Sequence, residues 1–477
     1  MLAFQKHKTR AFFALLSLPA TAMGFALSTQ IAALSWILTT QYDLEIHDVG
    51  LVWAAGPLAG ILGQVIIGLI SDKVWFWNGR RRPFILIGGV IAALMLLALP
   101  NIGVISGAMG LDAILGVAIA VALSLDLAIN VSFNPTRSII ADVTDEGAER
   151  TRGYAWMQTV SGSFGVLAYA IGAVFNNYVL IYFAVALVLV FSVLPPFFVT
   201  EPRELEELVD SKETAAQQNS AGQVLMAIRP LWGFLVYDIY AMTLRVAGVE
   251  VENYYAEIAL LVVTVVLFLL TFAERDDGGD VASKDAGFRK VLAAHSFSWV
   301  GVFITLVFLV PYIRSVLPDL NDIDLGRVGS MSYLVFNAVS ALLPVLVLAP
   351  LAVRHGRIVV HAACLWIMAA GYVALYFFGT SASMIYLLMA VIGVGWAAIV
   401  SLPFAIVSQK IRKEKMGLYM GLFNLSVVLP QLVVTAGISL IISRAPDKSI
   451  IFAISALAMA ASAFTWHFVK DDLPEHD

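Results

Sequence analysis

Fourteen stretches of this chain are close to 20 residues long and nearly free of charge, and that repetition restricts the possible folds more than any other feature. A helix needs about 20 mostly apolar residues to cross the hydrocarbon of a bilayer. The stretches fall near 11–39, 48–71, 83–105, 111–140, 153–176, 178–199, 224–247, 257–273, 291–314, 328–353, 359–379, 383–409, 416–443 and 449–469. Composition points the same way: 60% of the 477 residues are hydrophobic, 13% are charged and the mean hydropathy is +0.87. A soluble domain carries about 25% charged residues, so too little polar surface remains to cover a water-soluble globule. An all-α, multi-pass membrane protein is expected. The first apolar run continues past Leu38, longer than the apolar core of a cleaved signal peptide, and reads as a first spanning helix.

The lysines and arginines set an orientation. Basic residues gather in cytoplasmic loops. With the N-terminus inside, 23 of the 29 fall on the cytoplasmic side, 5 on the other, and Arg137 lies within a span. Both termini are therefore expected to be cytoplasmic, in a plasma or inner membrane. Between the sixth and seventh stretches lies a charged segment, 200–223. The expected organisation is a six-helix bundle over 1–199, a central cytoplasmic linker over 200–285 carrying two extra helices (224–247 and 257–273), and a second six-helix bundle over 286–477. Arg229 and Arg245 bracket 224–247, a pattern that also suits an amphipathic helix on the membrane surface. Removing both extra helices leaves the charge pattern intact, so charge alone supports twelve or fourteen spans. Asn78-Gly79-Arg80-Arg81-Arg82 after the second span and Arg354-His355-Gly356-Arg357 after the corresponding span of the last six form a weak internal repeat. Two halves related by an axis along the membrane normal would place these loops equivalently.

Two motifs carry chemistry. The first is Gly68-Leu-Ile-Ser-Asp72-Lys73 followed by Gly79-Arg80-Arg81-Arg82, at the cytoplasmic end of the second span. Gly68 permits close helix approach. Asp72 suits the N-terminus of a neighbouring helix, where the dipole favours an anion. The arginines suit acidic residues or lipid phosphate. The second motif is Asp126-x-x-x-Asn130-x-x-x-Asn134-Pro135-x-Arg137, with Asp142 following, on the fourth span. At 100° per residue Asp126, Asn130 and Arg137 fall within about 40° of one another on a helix, a polar stripe on an apolar rod. A carboxylate at this depth costs at least ~2.5–3.5 kcal/mol to insert and normally faces a partner or a water-filled path. It is a natural proton carrier. Asp126 and Arg137 are about 16 Å apart along a regular helix, too far to pair directly.

The first motif resembles the gating signature of the major facilitator superfamily, and Gly68, Asp72, Gly79, Arg80, Arg81 and Arg82 are its gating candidates. The second resembles the fourth helix of the sucrose–proton symporters, within the glycoside–pentoside–hexuronide cation symporter group. Gly56-Pro57 and Arg82-Pro83-Phe84-Ile85 are similar to their second and third helices, with His47 one residue out of register. Gly329 to Asn337, Gly393-Val-Gly395-Trp396 to Ala405, and Gly417 to Gln431 resemble their eighth, tenth and eleventh helices. The resemblance implies a major facilitator fold with two six-helix bundles, and proton-coupled uptake of a disaccharide or related glucoside such as sucrose or maltose. Asp126 takes the place of the proton-binding carboxylate and Arg137 that of its paired arginine. Two departures stand out: Phe308 to Arg314 holds no carboxylate where the plant carriers have charged residues, and the central helix pair has no counterpart there.

Sugars are held by amide hydrogen bonds and aromatic platforms, expected near the midplane between the halves. The candidates are Gln30, Asn130, Gln158, Trp299, Asn337, Trp396, Asn424 and Gln431. Each of these could instead serve helix packing. An enzyme is not expected: His361 and His467 lie at helix ends, and the spans hold no His-Glu-x-x-His or paired-carboxylate set. No cofactor or metal site, and no basic patch suited to nucleic acid, is apparent. The expected partners are a sugar, a proton and the bilayer, with the protein working as a monomer. A sodium-coupled sugar carrier or an exporter of another small molecule is the alternative. The solitary carboxylate on the fourth span favours a proton, since sodium needs several converging oxygens.

Overall fold

The computed structural model describes residues 8–61, 74–77, 79–110, 113–145, 148–201, 221–247, 249, 253–275, 281–411 and 416–470. Gly68 and Asp72 lie outside them. Contacts divide the chain into two units, one formed by Met1–Glu213 with Pro318–Leu334 and the other by Thr214–Leu317 with Val335–Asp477.

The first unit holds α1 (Arg10–Thr40), α2 (Ile46–Trp53, resuming after Ala54 to Ile61), α3 (Arg82–Ala98), α4 (Ile114–Val143), α5 (Ala148–Val174) and α6 (Asn177–Phe198). Backbone groups in hydrocarbon must be satisfied within their own segment, which leaves helices as the available element. The Asn176 side chain caps α6 by accepting from Val179 N–H at 2.9 Å. α1 packs against α5, α6 and α4, and α3 wedges between α4 and α6. Glycines make the second contact possible. A Cβ on Gly89 would lie 2.0 Å from Ser192 Cβ on α6, and one on Gly88 would lie 2.7 Å from the Ala128 carbonyl on α4. Small residues at such crossings let backbones approach, which is how helices associate when the solvent is itself apolar.

The second unit contains α7 (Trp232–Val246), α8 (Tyr255–Phe272), α9 (Val281–Val316), α11 (Arg357–Phe378), α12 (Ala382–Lys410), α13 (Met416–Val433) and α14 (Ile450–Trp466). α10 (Asp322–Leu343) begins among residues grouped with the first unit and ends among those of the second. α9 is the buried centre of its unit, while Leu261, Val262, Val265, Val266 and Leu269 on α8 are exposed, as a lipid-facing helix requires. α11 packs on α12 and α14, and buries Cys364, the one cysteine of the chain. α10 and α13 each continue through a π-helical turn, Pro344–Leu348 and Val434–Ile438.

Among the described residues eleven helices are long and apolar enough to cross a membrane; α14 and the described part of α2 are shorter apolar helices. The difference from the sequence reading is α7. The expected helix 224–247 is interrupted by a 3-10 turn at Arg229–Leu231, where Pro230 supplies no N–H, and continues beyond it as the 15 residues of α7. α7 and α8 pack together and join the second unit. A Cβ on Gly233 would fall 1.9 Å from Thr264 Oγ1 of α8, and one on Gly437 would meet the Tyr237 hydroxyl at 1.8 Å. At the far end of α8 the Glu274 carboxylate is clamped by Arg229 and by Arg289 of α9.

Candidate functional site

Asp126 sits midway along α4 and is 7% exposed. Two neighbouring helices approach its carboxyl. From α1, Gln30 Nε2 donates to Asp126 Oδ2 at 3.0 Å. From α2, Gly56 presents bare backbone, so that a Cβ there would sit 3.5 Å from Oδ2. On α4 itself, Asn130 Nδ2 donates to the Asp126 carbonyl at 2.8 Å. Gln30 is 1% exposed, and its Oε1 is buried with no hydrogen-bond partner among the described residues. A buried amide oxygen left unpaired costs about 1–3 kcal/mol, so it marks a place where a donor from elsewhere is chemically wanted.

Arg137 lies three turns further along α4. Its guanidinium stands 4.2 Å over the Phe133 ring, and its carbonyl accepts from the Tyr154 hydroxyl at 3.2 Å. Gln158 is exposed on α5. The structure thus brings Gln30 and Asn130 to Asp126, while Arg137 belongs to a separate aromatic environment.

The candidates of the second unit gather around aromatic rings. Trp396 of α12 stacks on Phe336 of α10 (centroids 5.7 Å, 16°) and meets the edge of Trp299 of α9 (5.6 Å, 85°). Trp299 Nε1 donates to His295 Nε2 at 2.9 Å, and the His295 ring stacks on Phe423 of α13 (4.8 Å, 21°). Asn337 follows Phe336 and Asn424 follows Phe423, both half-buried; Gln431 is half-buried two turns beyond Asn424. One face of Trp396 is covered by Phe336, and Trp299 is held between Trp396 and His295. His295, 1% exposed and with Nδ1 unpartnered among the described residues, was missed by the sequence reading. Its signal was available: a lone histidine four residues before a tryptophan inside an apolar span.

The loop after the second span is built by a residue the motif did not contain. The Glu201 carboxylate, just beyond α6, accepts the backbone N–H groups of Arg80 (2.7 Å), Arg81 (2.8 Å) and Arg82 (2.8 Å) at the start of α3. These are the orphan donors of a helix N-terminus, where the macrodipole also favours an anion. Arg81 Nε in turn donates to Asp142 Oδ2 at the end of α4 (3.0 Å). Gly79 is required by the geometry: a Cβ there would sit 2.8 Å from Glu201 Oε1. Nearby, Lys8 donates to Asp145 at 2.7 Å and to Glu149, and the ammonium holds the exposed Asp145 carboxyl below its ordinary range.

A carboxyl bridged between helices, an aromatic cluster and a tied loop are parts of a carrier, and the sequence comparisons decide the family. Residues 16–435 match the profile of the Major Facilitator Superfamily. The chain belongs to that superfamily. The sucrose transport protein SUC4 of Arabidopsis thaliana is 22% identical, over 85% of this chain and 80% of the relative. The general alpha-glucoside permease of Schizosaccharomyces pombe is 33% identical over a local match, 26% of this chain and 23% of that one. Among solved structures, the inward-open xylose transporter XylE from E. coli aligns with a TM-score of 0.58 at 14% identity, over 98% of this chain and 97% of that one. The POT family transporter PepTSo aligns with a TM-score of 0.65 at 12% identity, over 96% and 98%. At such identities the structures share the fold alone. The relatives are membrane transporters and not enzymes, and the chain is a multi-pass transporter of the same superfamily.

Proposed function

We propose that the chain is a secondary active transporter that takes up a disaccharide or related glucoside together with a proton, with both termini in the cytoplasm. The relatives named for sucrose and alpha-glucosides support the cargo class. The observation that carries the coupling is the bond from Gln30 Nε2 to Asp126 Oδ2 across α1 and α4, beside an unpaired Gln30 Oε1. An ionised carboxyl is acceptor-only and holds the amide N–H; a protonated one becomes a donor itself. Proton arrival on Asp126 therefore changes what the Gln30 amide is bonded to, because the new O–H can donate to Gln30 Oε1, so the bonds this amide has left for a sugar hydroxyl depend on the proton. In this reading Asn130, Gln158, Asn337, Asn424 and Gln431 supply further sugar hydrogen bonds, Trp299 and Trp396 an apolar ring face, and Arg137 completes the coupling stripe. The residues of the Gly79–Arg82 loop, with Gly68 and Asp72, gate the cytoplasmic side.

The test is uptake of a panel of labelled sugars into proteoliposomes under an imposed proton gradient, with a sodium gradient as a parallel arm. Asp126→Asn keeps the shape and removes the proton site. It is expected to abolish gradient-driven accumulation while sugar exchange partly survives. Full accumulation by this variant, or accumulation driven by sodium alone, overturns the proposal.

A further inference from the structure

A groove of about 660 Å³ opens on the second unit where the start of α8 meets the end of α13 and the start of α14. Its walls are apolar: Ile258 and Leu261 from α8, Ile441 from the last turn of the α13 segment, and Ile450 from α14. Ile258, Leu261 and Ile441 are all substantially exposed. Exposed apolar walls on the helices of a membrane protein suit an acyl chain. Its rim is polar and carries both signs of charge. Arg444 donates to the Tyr254 hydroxyl and lies 5.7 Å over that ring, at the C-terminal end of the α13 segment. Glu257 stands in the first turn of α8 with the Tyr240 hydroxyl of α7 beside its carboxylate, and its Oε2 is buried without a hydrogen-bond partner among the described residues.

We propose that this groove binds phosphatidylethanolamine, with the phosphate on Arg444, the ammonium on Glu257 and one acyl chain along Ile258, Leu261 and Ile450. The charge arrangement selects the headgroup. An ammonium has three N–H donors to offer the unpartnered Glu257 oxygen, whereas a choline has none. Among the described residues, an anionic headgroup would place a second negative charge beside Glu257 with one guanidinium to answer it. Lys448, the next cation along the chain, does not change that: its Nζ donates to the carbonyls of Ile442, Ser443 and Ala445 at 3.1, 2.9 and 2.7 Å, engaging all three of its N–H groups. The groove also gives the α7–α8 pair a task apart from the Asp126 site, because without α8 it would lose a wall and its anionic group.

The test uses the purified full-length protein in detergent, with phosphatidylethanolamine, phosphatidylcholine or phosphatidylglycerol of matched acyl chains added back. Thermal unfolding and lipid retention in native mass spectrometry are read together. Phosphatidylethanolamine is expected to raise Tm by about 3 °C more than the other two, on the scale of one tenfold preference, and to be retained after dilution. Glu257→Gln should erase its advantage over phosphatidylcholine, and Arg444→Gln should weaken all three. Leu261→Trp, which fills the trough without touching the rim, should abolish retention in a protein that still elutes as a folded species. Equal stabilisation by the three lipids, a preference for phosphatidylglycerol, or retention unchanged in Glu257→Gln or Leu261→Trp each overturns the proposal. If a variant fails to fold, the ranking of the three lipids on the unaltered protein still decides.

Discussion

Removing the Glu201 side chain tests whether one carboxylate organises the loop between the second and third spans. Glu201→Ala withdraws the acceptor for three backbone N–H groups, all at 2.7–2.8 Å, from a residue only 6% exposed. Each stranded buried donor costs about 1–3 kcal/mol, and bonds to an ionised acceptor are about twice as strong as neutral ones. Water reaches the membrane edge and will recover part of this loss, so the lower bound, about 3 kcal/mol for the three together, is the expected cost. For a unit of this size that corresponds to a fall in Tm of about 6–12 °C. Glu201→Gln keeps one acceptor oxygen and should lose about half as much. Intrinsic tryptophan fluorescence on heating measures the shift, and counterflow of sugar measures the gate in the same preparations. Both variants should retain binding, because the loop is not part of the Asp126 cluster, while turnover falls. A Glu201→Ala protein within 2 °C of the parent and with unaltered turnover would falsify the claim that this carboxylate holds the loop.

Three further outcomes follow from the packing and topology. Gly89→Ala should lower Tm, since its Cβ would overlap Ser192 Cβ at 2.0 Å, and Gly89→Ala with Ser192→Gly should recover most of the loss; no recovery would mean that the glycine serves another purpose. Asp238 on α7 is 4% exposed and neither carboxyl oxygen has a hydrogen-bond partner among the described residues, so Asp238→Leu should leave Tm unchanged or raise it, and a clear fall would point to an unseen partner. Asn253, in the connection before α8, should react as Asn253→Cys with an impermeant thiol reagent added outside, in a Cys364→Ser background; reaction only after the membrane is opened would place that connection in the cytoplasm.

The spans were legible because hydrocarbon imposes a single rule on every segment, and sequence obeys it residue by residue. Asp126 was legible for the same reason, as a carboxyl inside an apolar run. Its bond to Gln30 was not: the two are 96 residues apart, and only the packing of α1 on α4 brings them together. Glu201 was missed because it stands at the head of a charged stretch, where one acid looks like any other. What sets it apart is the helix N-terminus it meets, 119 to 121 residues away in the chain. In α7 the break was the part hidden from hydropathy, which is continuous through Pro230 although the helix turns 3-10 there. The Trp299–Trp396 contact was half legible, since both rings were candidates but Phe336 and His295, which fix them, were not.

The burial of Cys364 in α11, as the sole thiol of the chain, gives the protein a built-in probe of one half of itself. A dye that fluoresces on reaction with thiols will stay dark while the second unit is intact and light up only when α11 loosens from α12 and α14. Tryptophan emission arises from both units, with Trp36 and Trp53 buried in the first and Trp466 in the second. Coincident transitions by the two signals would mark a single cooperative unfolding event, whereas a thiol signal trailing or leading the tryptophan signal would mark two. A signal confined to the second unit can thus be set against one that both units share.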